Sequence, residues 1–354
     1  MAERDIVAIG TSAGGIKALK YLASKFAPDF PASILAVIHL PGRFNSSLDQ
    51  ILSRSGPLPA SFAEDGVEME RGHIYLGRPG KHLLVDGRRI QLGVGPLENN
   101  ARPAIDPLFR SLAVCCGPRS IGMVLTGALG DGSSGLKALK QCGGITVVQD
   151  PDDAEFPSMP RSALSRMRID YVEALAGIPA LLDGLVHLPA GEPVEVPGNI
   201  KFEVEIARTG RSSMMNLDEI GRRSVIACPE CHGVMWEIED GELVRYRCHV
   251  GHAYSVDLLN VALDANLNRA LGSALRVLDE RAAVSRRLEE QAAERGGSDL
   301  ARSWQRRADE FERDAEILRE SMRRIDEIAD VAARAERSEA QSLRPEDILP
   351  EQAA

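Results

Sequence analysis

Ile6-Val7-Ala8-Ile9-Gly10-Thr11-Ser12-Ala13-Gly14-Gly15 is a short apolar run ending in a glycine-rich turn, and a helical pattern follows Gly15. A β-branched run leading into G-x-S-x-G is the pattern of a sharp strand-to-helix turn that exposes a serine hydroxyl. The flanking glycines let the backbone bend sharply and let a substrate come close. The helix start behind the turn offers free N–H groups and a positive dipole end, which suit an oxyanion. Taken alone, the turn fits a phosphate- or dinucleotide-binding role equally well.

The residues around it set the fold class. Ser33–Ile38 is a second strand, and Gly72–Leu76, Leu83–Val85, Ile121–Leu125 and Ile145–Val148 are further strands, with Leu136–Gln141 a helix between the last two. Strands alternating with helices at this spacing predict an α/β fold over residues 1–189, a mostly parallel sheet with helices on both faces. The two middle strands have an alternative pairing as a hairpin.

A serine nucleophile needs a base, and the base needs a group that orients it. The second strand closes in Val37-Ile38-His39-Leu40-Pro41, and another buried strand ends in Thr126-Gly127-Ala128-Leu129-Gly130-Asp131-Gly132. A histidine ending an apolar strand is ordinarily a rim residue, and an aspartate among glycines is ordinarily a turn former. Ser12, His39 and Asp131 nevertheless all fall beyond the carboxyl ends of strands, where open α/β sheets build their sites. They are the candidate catalytic residues. The chain order Ser, His, Asp differs from the Ser, Asp, His order of α/β-hydrolases and disfavours that fold.

Gly10–Gly15, Val37–Pro41, Glu64-Asp-Gly66, Ala101-Arg-Pro-Ala-Ile-Asp106 and Leu125–Gly132 together resemble the catalytic domain of the chemotaxis protein-glutamate methylesterases, the CheB type. The resemblance covers about residues 1–189. It implies a doubly wound parallel sheet and hydrolysis of glutamyl methyl esters on the cytoplasmic region of chemoreceptors, with deamidation of receptor glutamines as a further activity. It implies Ser12 as nucleophile, His39 as general base and then acid, and Asp131 as the group that orients the imidazole. Oxyanion donors are expected near Ala13 and the Gly127–Leu129 loop. No cofactor is expected for catalysis. The catalytic strand begins at about Ile6, so the amino-terminal receiver domain that such enzymes usually carry is not expected. Ala101 stands where relatives can carry a bulkier polar residue.

Residues 190–223 are interrupted by Pro193, Pro197, Gly198 and Gly210 and read as a linker, with Lys201–Ala207 a candidate edge strand. Residues 224–256 form a Cys/His block. Cys228-Pro-Glu-Cys231 precedes Cys248-His249-Val-Gly-His252, a spacing typical of zinc ribbons. Cys228, Cys231, Cys248 and His252 are the candidate ligands of a structural zinc, with His249 the alternative to His252, since adjacent side chains normally point apart. Trp236–Arg247 reads as a hairpin turning at Asp240-Gly241. Cys115, Cys116 and Cys142 read as inert core thiols.

Residues 257–337 are a helical hairpin. Leu267, Leu271, Leu275, Leu278 and Ala282 lie on one face, and Leu300, Trp304, Ala308, Phe311, Ala315, Leu318, Met322 and Ile325 advance by fours and threes, as in a coiled coil. Gly296-Gly297-Ser298 separates the two runs, and residues 338–354 read as a disordered tail.

Lys plus Arg is 42 and Asp plus Glu is 52 in 354 residues, a formal charge of −10. That argues against nucleic acid as a default partner. No apolar run is long enough to span a membrane and the charged start is no signal peptide, so a cytoplasmic protein without membrane insertion is expected. The expected partner is the methylated cytoplasmic region of a chemoreceptor, with homo-oligomers through the C-terminal helices. The competing functions are a regulatory interaction protein and an esterase for another methylated signalling protein.

Overall fold

The computed structural model describes residues 3–39, 47–240 and 243–342. The chain forms two compact units, Met1–Asn260 and Val261–Ala354. In chain order the first runs β1 (Ile6–Thr11), α1 (Gly15–Ala23), β2 (Ser33–Ile38), α2 (Leu48–Ser55), β3 (Ala60–Phe62), β4 (Ile74–Leu76), β5 (His82–Asp86), β6 (Arg89–Gly93), α3 (Ile105–Cys115), β7 (Ser120–Val124), α4 (Ser133–Gln141), β8 (Ile145–Gln149), α5 (Ser158–Arg166), β9 (Tyr171–Glu173) and α6 (Ile178–Val186). It continues with α7 (Gly198–Thr209), α8 (Met214–Ile220), β10 (Arg222–Ala227), β11 (Val234–Asp240), β12 (Leu243–Cys248) and β13 (Ala253–Ser255). Two long helices follow, α9 (Val256–Glu294) and α10 (Ser298–Ser342).

The main sheet has the order β3-β4-β2-β1-β7-β8-β9, and every pair in it is parallel. Alternation along β1 explains why helices cover both faces. Ile6 and Ala8 enter one apolar cluster, with Leu108, Phe109 and Leu136 of α3 and α4. Val7 and Ile9 enter the other, with Leu19 and Leu22 of α1, Leu52 of α2 and Leu182 of α6. The chain builds outward from β1 through β2 and then returns to β7 on its other side. The carboxyl ends of β1, β2 and β7 therefore meet at the point where the strand order reverses, the usual place of a site in such sheets.

Two expectations need correction. Gly72–Leu76 and Leu83–Val85 do not pair with each other. Ile74–Leu76 joins the parallel sheet, and His82–Asp86 forms an antiparallel hairpin with Arg89–Gly93. The stretch 190–223, expected as a linker, carries α7 and α8, and Lys201–Ala207 is helical rather than an edge strand. Ile200, Glu203, Ile206 and Ala207 are its buried positions, a helical spacing that the apparent alternation of Lys201–Ala207 conceals.

The strands after α8 form a second, antiparallel sheet, β10-β11-β12-β13. It belongs to the same compact unit as the parallel sheet, and buried charge joins them. Arg110 on α3 pairs with Glu98, Arg245 on β12 pairs with Glu203 on α7, and Arg247 lies 3.1 Å from Glu98 and 3.6 Å from Glu203. Burial by itself would raise both carboxyls, but the arginines hold Glu98 below its ordinary range and Glu203 down to about 2. Removing one member leaves the others buried without compensation. Glu203→Ala is expected to cost about 3–5 kcal/mol of stability, read from urea denaturation. A loss below about 1 kcal/mol would mean that this network does not join the two sheets.

In the second unit, Arg286 on α9 pairs with Asp309 and Glu312 on α10, and Arg319 on α10 pairs with Asp279 on α9. Of the anticipated heptad positions, Ala282, Ala308 and Ala315 are buried, whereas Leu267 and Leu300 are exposed. The helix α10 extends through 338–342, residues expected to be disordered, and 343–354 lie outside the described residues. No helix among the described residues is long and apolar enough to cross a membrane.

Candidate active site and metal centre

The turn after β1 is held from β7. The Ser12 N–H donates to the Thr126 carbonyl at 3.1 Å, and the Thr11 hydroxyl donates to the same oxygen at 2.7 Å. The Thr126 hydroxyl donates to the Ala13 carbonyl at 3.1 Å. Gly14 then takes φ +76°, where a Cβ would meet the Thr126 side chain at 3.0 Å, so only glycine makes this turn without strain. The helix α1 starts at the next residue.

His39 continues the ladder of β2, its N–H donating to the Thr11 carbonyl at 3.3 Å. Its side chain shares one open cleft with Ser12, lined also by Gly14, Lys17, Lys20 and Tyr21. The His39 Nε2 lies 2.9 Å from the Asp131 Oδ2. The other ring nitrogen, Nδ1, is left for the serine. No hydrogen bond joins Ser12 Oγ to His39 among the described residues, a looseness common in such sites before substrate arrives.

Asp131 is buried and densely bonded. Its carboxylate accepts from the N–H groups of Ile105 at 2.7 Å, Gly132 at 2.9 Å and Asp106 at 3.3 Å, and from the Asn99 amide at 2.8 Å. Two of these donors open α3, so a helix N-terminus faces the charge. Burial alone would raise the Asp131 carboxyl. The His39 hydrogen bond and charge, the Ile105 N–H and the Asn99 amide outweigh it and leave the group below its ordinary range. Beside it, Asp106 is pushed up to about 7, by burial first and by the Asp131 charge second, although Arg110 and the Gly135 N–H oppose this.

The structure thus brings Ser12, His39 and Asp131 to three neighbouring strand ends. A buried carboxylate that orients an imidazole, next to a half-buried serine that opens on a cleft at a helix start, is equipped for acyl transfer. One expected oxyanion donor is taken, because the Gly127 N–H donates to the Phe156 carbonyl at 2.9 Å. The Ala13 N–H, at the mouth of α1, has no backbone partner among the described residues. The residues missed in the sequence are Asn99 and Thr126. Thr126 opens the glycine-rich turn read in the sequence, but its role there does not show, and Asn99 is a loop residue that no local pattern marks; both act through partners far along the chain.

The Cys/His block brings its predicted ligands together. Donor atoms of Cys228, Cys231, Cys248 and His252 all lie within 4.8 Å of one another. Cys231 and Cys248 sulfurs are 3.6 Å apart, and His252 Nδ1 is 3.4 Å from Cys248 and 3.7 Å from Cys228. A tetrahedral zinc with metal–sulfur bonds of about 2.3 Å has sulfur edges of about 3.8 Å, so the group can hold such an ion. His249 stands apart, its ring lying against Gly233.

Comparison with known proteins bears on the part of the chain that carries the parallel sheet. The family model described as CheB methylesterase matches residues 7–182. A relative from Leptospira interrogans, named "Putative protein-glutamate methylesterase/protein-glutamine glutaminase", is 36% identical over 178 residues, which are 50% of this chain and 92% of the relative. One from Chromobacterium violaceum, "Protein-glutamate methylesterase/protein-glutamine glutaminase 1", is 36% identical over 184 residues, 51% of either chain. The crystal structure of the Thermotoga maritima CheB methylesterase catalytic domain is 31% identical, with a TM-score of 0.50, and the match covers 52% of this chain and 100% of that one.

Proposed function

Since the chain belongs to the CheB methylesterase family, we propose that it is a protein-glutamate methylesterase whose chemistry is carried by Ser12, His39 and Asp131. The observation that carries the assignment is the 2.9 Å pair of His39 with buried Asp131, in reach of the cleft that holds Ser12. Ser12 Oγ attacks the ester carbonyl while His39 takes its proton. The tetrahedral oxyanion meets the Ala13 N–H and the positive end of α1. His39 then protonates the departing methoxide, and methanol leaves. Water, deprotonated by His39, releases the glutamate from the acyl-enzyme. A glutamine side chain is open to the same attack, with ammonia as the leaving group.

The proposed substrate is the methylated cytoplasmic region of a chemoreceptor, in the adaptation of chemotaxis. Lys17 and Lys20 at the cleft suit a protein surface rich in glutamate. Incubation with a methylated receptor fragment should release methanol in proportion to enzyme. No release, with tight binding of the fragment retained, would replace the esterase reading by that of an interaction protein.

The four clustered ligands support a structural zinc that closes the Cys/His block. Elemental analysis of the purified protein is expected to find about one zinc per chain, and its absence after gentle preparation would defeat this assignment. The ion pairs between α9 and α10 support a helical hairpin in the second unit, which would serve as a dimer contact or a docking arm.

A further inference from the structure

Asn99 is 7% exposed and sits in the left-handed region at φ 52°, in the loop between β6 and α3. Its amide nitrogen donates to Asp131 Oδ1 at 2.8 Å and to Asp106 Oδ2 at 3.0 Å. Its amide oxygen accepts from the Ser255 N–H at 3.0 Å, and its own N–H donates to the Ala253 carbonyl at 2.7 Å. Both side-chain donors are therefore used, one on the candidate catalytic carboxylate and one on Asp106, while the amide oxygen and the backbone N–H are tied to β13. The neighbouring residues repeat the link. The Ala253 N–H donates to the Leu97 carbonyl at 3.3 Å, and Arg247 on β12 reaches both Glu98 at 3.1 Å and the Gly251 carbonyl at 2.8 Å.

Resting on the Ser12–His39–Asp131 assignment above, we propose that Asn99 is a positioning residue that orients Asp131, and that the Cys/His block holds Asn99 in place. The physical need is clear. The backbone N–H groups around Asp131 come from the starts of α3 and α4, but among the described residues the Asn99 amide is the one neutral side-chain donor that bridges Asp131 and Asp106. Two buried carboxyl groups side by side repel, and a donor shared between them fixes which oxygen faces His39. A left-handed residue outside any helix or strand would not hold that geometry alone. Strand β13 supplies the opposing contacts. The small antiparallel sheet is thereby a brace for the active site.

The charged and titratable groups around this pair are His39, Asp106, Glu98, Arg110 and His82. The test uses the full-length protein and a serine-directed fluorophosphonate, whose labelling rate reads Ser12 activation without assuming a natural substrate. Asn99→Gly suits the positive φ and deletes both side-chain contacts. Asn99→Asp keeps the shape and the acceptor toward Ser255 but replaces the donor by a charge. Both are expected to label about 10- to 100-fold more slowly at neutral pH, with thermal unfolding showing a folded protein. The acid limb of the pH–rate profile should move to higher pH in Asn99→Asp, because added negative charge favours the protonated imidazole. Arg247→Lys, on the block side, should slow labelling by itself yet add less than about twofold in the Asn99→Gly background, since coupled residues are not additive.

Wild-type labelling rates and an unchanged pH profile in both Asn99 variants would overturn the proposal. Independent multiplication of the Arg247→Lys and Asn99→Gly effects, or no effect of Arg247→Lys, would overturn the part played by the Cys/His block. Equal labelling of the wild type and Ser12→Ala would instead sink the triad assignment, and this inference with it.

Discussion

Ser12→Ala is expected to remove methanol release almost completely, with a fall in kcat of about 10⁴-fold or more, and to leave the fold unchanged. The argument for the second half is local. Ser12 holds its place through its backbone, whose N–H donates to the Thr126 carbonyl, and the neighbouring Thr11 hydroxyl and Thr126 hydroxyl complete the turn. None of these contacts uses the serine hydroxyl. Alanine therefore fits the same turn, and the thermal midpoint should move little. The argument for the first half is chemical. Without the hydroxyl there is no acyl-enzyme, and what remains is whatever His39 and the end of α1 do for a water molecule. A variant that kept more than about a tenth of its activity would place the nucleophile elsewhere.

Asp131→Asn is expected to lower kcat by about 10⁴-fold with little change in KM. The amide has the size of the carboxylate but the wrong polarity. In the native protein every neighbour of Asp131 donates to it: three backbone N–H groups, the Asn99 amide and the His39 ring. An asparagine must point its own NH2 at one of these donors or turn away. If the NH2 faces His39, the ring is held in the tautomer that cannot take the serine proton. The charge that stabilises the imidazolium is lost in either case. Asp106 provides a second readout. It is pushed up to about 7 in part by the Asp131 charge, so in Asp131→Asn it should lose its proton at lower pH, visible in a carboxyl-carbon NMR titration. An Asp131→Asn enzyme within tenfold of the wild type would show that another group orients His39.

These two residues also illustrate why much of the site could be read from the chain. Ser12 and Asp131 sit in glycine-rich turns at the ends of apolar runs, and His39 ends a third. Parallel α/β sheets place such turns together at one edge, so a one-dimensional pattern converts into a site with few alternatives. The Cys/His block was readable for a similar reason. Ligand spacing reflects the geometry a metal demands, and the four donors predicted from it lie together.

Other features left no such trace. Asn99 looks like any polar turn residue, and its importance comes from Asp131, thirty-two positions later, and from Ser255 beyond that. Glu203 looked like part of a linker, yet its carboxylate is buried among three arginines drawn from α3 and β12. The stretch around it, Lys201–Ala207, is too short to tell a strand from a helix by alternation, and the tertiary burial of Ile200, Ile206 and Ala207 made the choice.

From the chain alone came the strand-and-turn periodicity, the three candidate catalytic residues and the four ligands, because each depends on local backbone preference or on fixed chemical spacing. The tertiary structure decided which residues support them. Long-range hydrogen bonds and buried ion pairs follow from where separate elements meet, and that meeting is a property of the whole packed unit. So the Cys/His block, which reads in sequence as a separate module, shares buried charge with the esterase sheet and is hydrogen-bonded to the loop behind Asp131.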